Sequence, residues 1–250
     1  MAVVDTDIVV YGSAVMSDDD VTTNIGGAID LTKRVIFTDI SPSGTVTVVS
    51  DSSGDTTQTI TTYGRDAAGV LVNEGLALTG TSPVTGTQVF ERILKIVISA
   101  SCVGTVTFEE TAGGEDLVLI EPGVTEIRRP FYNAVAESTG GADKTYYEKV
   151  FFKNTNGVSA LTNAIISEIA DPLDKITFML PATLDDTGDN GANNRLVAPA
   201  GTFDSAAKNV ANAQTHSPGT AQGVWVALTL TNGDVAAKSS FTLRESGETA

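Results

Sequence analysis

The chain contains a single cysteine and a single histidine, and each scarcity removes a class of chemistry. With Cys102 alone, neither an intrachain disulfide nor a thiolate metal cluster can be built. Cys102 lies in SASCVG between two strand-like runs, where a small buried side chain is expected. A catalytic triad or a histidine-based metal centre would have to be assembled around His216, whose setting QTHSPG reads as a turn carrying an ordinary loop histidine. Also missing are the G-x-S-x-G elbow and the two glycine-rich phosphate loops, G-x-x-x-x-G-K-[ST] and G-x-G-x-x-G, so neither serine hydrolysis nor phosphate cradling has support.

Basic residues are few: 15 Lys and Arg stand against 31 Asp and Glu, a formal charge of -16. Such a surface repels phosphate backbones and argues against direct nucleic-acid binding. Long apolar runs are absent too. No stretch approaches the roughly 18 residues a membrane helix needs, and MAVVDTDIVVYGS has no basic leader. Neither a membrane span nor a cleaved secretion signal is expected.

What is present is β-type sequence. In 250 residues, 41% are hydrophobic and 24 are glycine, enough apolar material for a core in one domain or two. From Gly44 to Glu109, extended runs (GTVTVVS, TQTITTYG, VLVNEGLALTG, VFERILKIVIS, GTVTFEE) alternate with Gly/Asp/Pro/Ser punctuation, predicting a meander of about five strands. Val70, Val72, Leu76 and Leu78 share one parity, with Glu74 the exception, so one face of that strand is predicted to be buried. Ile93–Ile98 is nearly continuous and predicts a central strand. Gly44-Thr45-Val46-Thr47 recurs as Gly104-Thr105-Val106-Thr107, an echo that chance or duplication explains equally well.

The spacing predicts an all-β protein with two antiparallel sandwich-like domains of jelly-roll or immunoglobulin type. Residues 1–40 read as an N-terminal arm or edge strand belonging to the first domain, 41–129 as that domain and 130–250 as the second, with the boundary at Arg128-Arg129-Pro130. Further strands are expected at Ile8–Tyr11, at Leu117–Ile120, in YYEKVFFKN, ALTNAIISEIA and KITFML, and over Gly223–Leu230 and Ser240–Arg244. The last two are joined by the hairpin signal Asn232-Gly233-Asp234. Asp204 ahead of Ala206-Ala207-Lys208 suggests one capped helical turn.

Candidate sites are sparse. Asp18-Asp19-Asp20 reads as a solvated loop or an anion cluster. In DDTGDNG, Asp185, Thr187 and Asp189 place oxygens at alternate positions as a calcium loop begins. Asn190 then replaces the turn glycine and Leu196 the closing glutamate, so a metal there is a weak candidate and no cofactor is expected. Glu109-Glu110 and Asp185-Asp186 are paired acids, but a glycan hydrolase needs carboxylates facing each other across a cleft, which sequence adjacency does not provide. Arg128, Arg129 and Trp225 are the candidates for partner contact. The Arg pair reads as a grip on an acidic partner or a solvated linker. Trp225 reads as a binding anchor if exposed and as packing if an arm or a subunit covers it. No catalytic residue emerges, so the chain is read as not an enzyme.

Four stretches together carry a resemblance: DIVVYGSAVMSDDD with GGAID; ITTYGRDAAGVLVNEGLALTGTSPVTGTQVFERILKIVIS; YYEKVFFKNTN with ALTNAIISEIADP; and AQGVWVALTLTNGDVAAKSSFTL. The sequence resembles virion structural proteins of tailed bacteriophages, and among them capsid decoration or cement proteins. That resemblance implies a non-catalytic β-sandwich protein, made in the host bacterial cytoplasm and placed on the capsid exterior. The partners it implies are its own copies, as a homotrimer, and the major capsid protein, with no nucleic acid and no membrane. A tail or host-facing appendage protein that binds receptor or glycan is the alternative.

Overall fold

The structure is a computed structural model that describes residues 2–36, 38–234 and 240–249. In chain order its strands are β1 (Ile8–Val15), β2 (Gly26–Arg34), β3 (Val46–Ser50), β4 (Thr59–Arg65), β5 (Leu71–Ala77), β6 (Val84–Thr85), β7 (Arg92–Ile98) and β8 (Val106–Glu110). They continue with β9 (Asp116–Ile120), β10 (Glu126–Arg128), β11 (Lys144–Asn154), β12 (Leu161–Ala170), β13 (Ile176–Met179), β14 (Lys208–Asn209), β15 (Ala221–Leu230) and β16 (Thr242–Thr249). The protein is thus all-β and sandwich-like, as the strand signals require.

Two compact units divide the chain: Leu31–Tyr132 forms one, and Met1–Asp30 together with Asn133–Ala250 forms the other. The second boundary falls three residues beyond Pro130. The N-terminal assignment is corrected, because residues 1–30 belong with the C-terminal half. The reason is a strand ladder: β1 runs antiparallel to β11, from Ile8 opposite Asn154 to Gly12 opposite Val150. The arm is no edge either, since β1 has neighbours on both sides in the order β13-β15-β11-β1-β2. Phe37, part of the next apolar run, lies outside the described residues.

In the Leu31–Tyr132 unit the expected meander is replaced by two sheets. β3 lies between β6 and β8, with β9 beyond β8, while β10, β7, β4 and β5 are ordered side by side. Alternation decides this arrangement, because strands with one apolar face each need a second sheet to cover it. Val46 and Val48 of β3, Phe108 of β8, Ile60 of β4 and Ile93 and Ile96 of β7 accordingly share one core, each fully buried. β7 is central, as its apolar run predicts, and Ile93 through Ile96 are all buried. The two Gly-Thr-Val-Thr echoes lead into neighbouring strands, with Val48 opposite Phe108. Cys102 is buried, and burial together with the charge of Asp55 pushes its thiol up to about 11, which leaves it inert at neutral pH.

In the other unit, β11 pairs along its length with β15, from Lys144 opposite Leu230 to Lys153 opposite Ala221, and β13 extends that sheet beyond β15. β12 is flanked by β14 and β16 in a smaller sheet. The Asn232-Gly233-Asp234 turn forms, with the Asp234 N–H donating to the Thr231 carbonyl (3.0 Å). It does not make a hairpin: β15 pairs with β11 and β13, whereas β16 pairs with β12. Asp204 caps a turn at the Ala206 N–H (2.9 Å) rather than a helix. Besides a 3-10 turn at Asp5–Asp7, a short helical turn at Ala211–Gln214 contains Asn212 and Ala213 at φ of 58° and 53°, a left-handed excursion.

Candidate functional site

The polar chemistry of the unit made of Met1–Asp30 and Asn133–Ala250 centres on two adjacent, fully buried charged residues in the middle of β11. Alternation along β11 sends Glu148 and Lys149 to opposite faces, and both are fully covered. Burial pulls the Lys149 ammonium downward from the usual lysine value, opposed by the Asp186 carboxylate, which lies 2.5 Å away. Three carbonyls complete the cage: Gly188 at 2.8 Å, Gly27 at 3.0 Å and Asp186 at 3.2 Å. The rings of Phe151 and Trp225 flank it at 4.9 and 5.7 Å. On the opposite face, Glu148 accepts from the Ser17 N–H at 3.3 Å.

This cage corrects the calcium reading. The loop does gather oxygens around a cation, but the cation is the protein's own lysine. Asp186, not Asp185, Thr187 or Asp189, supplies the carboxylate. Asp185 Oδ1 instead accepts from the Ala221 N–H (2.9 Å), and Asp189 Oδ1 closes a turn on the Gly191 N–H (2.9 Å). Among the described residues no group of three or more His, Cys, Asp or Glu side chains is set to hold a metal.

Trp225 is packed, 3% exposed, and the arm covers it. Gly26, at φ +98°, passes so close that a Cβ there would sit 2.6 Å from the indole Cη2, so only glycine fits. One edge of the indole reaches a cleft of about 570 Å³, whose walls include Met179, Pro181, Pro199, Asp189 and Asp204. Its volume lies in the range of ligand pockets. Lys208, also in the wall, is tied to Asp204 at 2.5 Å.

Asp20, from the Asp18–Asp20 run, is neither a cation ligand nor free in solvent. It bridges Lys144 (2.9 Å) and Arg195 (2.8 Å), and Arg195 is 2% exposed beneath the Tyr146 ring. Burial raises the Asp20 pKa, but the hydrogen bonds and charges of Lys144 and Arg195 outweigh it and leave it below the ordinary value.

Arg128 and Arg129, in the Leu31–Tyr132 unit, turn inward. Arg128 Nη1 donates to Glu126 (3.0 Å) and its guanidinium lies over Tyr132. Arg129 donates through Nε to the Ile93 carbonyl (2.6 Å) and pairs with Asp39 (2.9 Å), while burial pulls its pKa down to about 10. Both serve their own unit rather than a partner surface. Glu110 accepts from the Ala112 N–H (3.0 Å) and from the Gly113 N–H, a turn-closing role.

His216 departs furthest from its expected place. It is fully buried, with Nδ1 2.6 Å from Glu245 Oε1 and Nε2 2.9 Å from the Thr220 carbonyl. A carbonyl only accepts, so Nε2 carries hydrogen, and one further proton must lie between Nδ1 and the carboxyl. Glu245 Oε2 is buried without a hydrogen-bond partner. Nothing in QTHSPG signals this pairing, because Glu245 comes from β16. Lys149 did leave a trace, since adjacent charges inside YYEKVFFKN require buried partners.

The fold and these groups define an all-β protein of two sandwich-like units whose prominent charged side chains are spent on partners within the chain. No protein-family model, curated protein or solved structure matches it. Among the described residues no helix is long and apolar enough to cross a membrane.

Proposed function

We infer that this protein is a non-catalytic structural component of a tailed-bacteriophage virion, a capsid decoration protein that reinforces the head shell. The resemblance of the four stretches supports this reading. One structural observation carries it further: each candidate reactive group is consumed internally. Lys149 is held by Asp186, His216 by Glu245 and Arg129 by Asp39. What remains available to a partner is framework, meaning sheet edges, turns and an acidic surface. An exterior of charge -16 is tolerable outside a DNA-filled shell and unsuited to lining it. The partners are its own copies, as a homotrimer, and the major capsid protein, through interfaces on the order of 2,000 Å². Mixing the purified protein with undecorated heads tests this. Saturable binding with raised resistance to heat or low salt is expected, and a protein that neither binds heads nor changes their resistance overturns it.

The cleft beside Trp225 favours one second reading, a tail or host-facing appendage that binds receptor or glycan. Strong binding of the isolated protein to host cells, lost on filling the cleft with Ala182→Trp, would select it over the head.

A further inference from the structure

The described sheets end in six edge strands, and all but one are guarded. β6 and β14 have two residues each, the ladders of β9 and β16 are interrupted by register shifts, and the outer side of the four-residue β13 is capped by Asp204, whose carbonyl accepts from the Phe178 N–H (3.0 Å). Short length and bulges are the usual defences against unwanted pairing. β5 has neither. It pairs with β4 over seven consecutive residues, from Leu71 opposite Arg65 to Ala77 opposite Thr59, without a shift, and contains no proline, lysine or arginine.

The hydrogen bonds fix which backbone groups are spare. The Asp66 N–H donates to the Val70 carbonyl and the Leu78 N–H to the Gln58 carbonyl, so the even-numbered residues of this strand point their amides at β4. The odd-numbered Leu71, Asn73, Gly75 and Ala77 therefore aim theirs at the open edge. All four are exposed, with Leu71 at 46%.

We propose that this edge pairs antiparallel with the same edge of a second copy of the chain, with Leu71 opposite Ala77 and Asn73 opposite Gly75 about a two-fold axis at Glu74. That register uses every spare amide, giving four residue pairs and about eight main-chain hydrogen bonds. It also sets a large side chain against a small one each time, so the strand is complementary to itself. Charge permits this occupant at close range. Two copies of a chain carrying -16 repel in general, but β5 adds little to that repulsion, because Glu74 is its only charged residue. Its carboxylate is drawn back onto its own turn by the Thr87 N–H (2.8 Å), the Thr87 hydroxyl (3.0 Å) and the Gln88 N–H (3.2 Å). The contact is isologous and closes a pair of chains, whatever other surfaces build a larger assembly. It does not rest on the virion reading.

The test is sedimentation velocity over a concentration series, with amide hydrogen exchange at the concentrated end. The wild type is expected to double whatever assembly its other surfaces build, giving two 25.9 kDa chains if they build none and six if they build a trimer. Amides of Leu71, Asn73, Gly75 and Ala77 should slow as concentration rises, while those of Val72 and Leu76 stay protected throughout. Leu71→Lys with Ala77→Lys places like charges opposite each other at both ends of the register and should halve the assembly mass, weakening association roughly tenfold or more. This happens although the variant lowers the net charge. Leu71→Lys with Ala77→Glu restores opposite charges and should restore the mass. A wild type that stays monomeric, fast exchange at the four odd amides in the concentrated protein, or a Lys/Glu variant that dissociates like the Lys/Lys one overturns the proposal.

Discussion

The two units bury different things. In Leu31–Tyr132 the fully covered side chains are mainly apolar, Val46, Ile60, Phe90, Ile93 and Phe108 among them, gathered into one cluster. In the unit made of Met1–Asp30 and Asn133–Ala250, the covered set includes Glu148, Lys149, Arg195 and His216. An apolar core loses stability in proportion to the cavity left behind, and no single polar partner decides the loss. A buried charge loses it all at once when its partner goes, and recovers when both are replaced. The first unit therefore rests mainly on its apolar cluster, with Arg128, Arg129 and Asp55 as its few paired polar groups. The second is specified by pairs.

Chemical denaturation of single variants exposes that contrast most sharply at the buried histidine. His216→Phe leaves the Glu245 carboxyl enclosed without its proton partner and is expected to cost about 3–5 kcal/mol. Adding Glu245→Leu should return most of that loss; a double variant no better than the single would show that the site fails through shape rather than charge. Phe108→Ala, by contrast, should cost about 3–5 kcal/mol through a cavity, with no second polar change able to rescue it.

Lys149→Met comes next, at about 1–3 kcal/mol, because it strips the donor from three carbonyls and from Asp186, which is partly in solvent and loses less. A loss confined to the Asn133–Ala250 unit, read by hydrogen exchange of β11 and β15, is the expected pattern. Equal loosening of β7 would break the distinction between the units.

The smallest effect is a pH dependence inside the apolar unit. Burial raises the Asp55 pKa, but hydrogen bonds from the Ser50 hydroxyl and the Val103 and Gly104 N–H groups hold it below 3.8. A carboxyl lowered in the folded state stabilises above its unfolded value and loses that contribution as pH falls through the folded one. Stability of Leu31–Tyr132 should therefore fall below about pH 4, the unfolded carboxylate value, and Asp55→Asn should flatten that limb. An unchanged slope would remove Asp55 as its source.

Much of the architecture was legible because strand periodicity is local. β7 was predicted to be central from its continuous apolar run, and a boundary near Pro130 followed from a residue that cannot continue a ladder. Glu74, the exception to parity on β5, made sense only once its carboxylate was seen to anchor Thr87 and Gln88. The DDTGDNG loop was legible as a cation-gathering shape but not as one already filled, since Lys149 reaches it from β11.

By itself the sequence determined the fold class, the scarcity of cysteine and histidine chemistry, and the acidic surface, because these depend on composition and on a two-residue repeat. Tertiary structure alone decided that the N-terminal arm belongs with the C-terminal half, that His216 is enclosed with Glu245, and that Arg128 and Arg129 point inward. Each of these rests on pairing between residues far apart in the chain, and no local pattern encodes which distant strand supplies the partner.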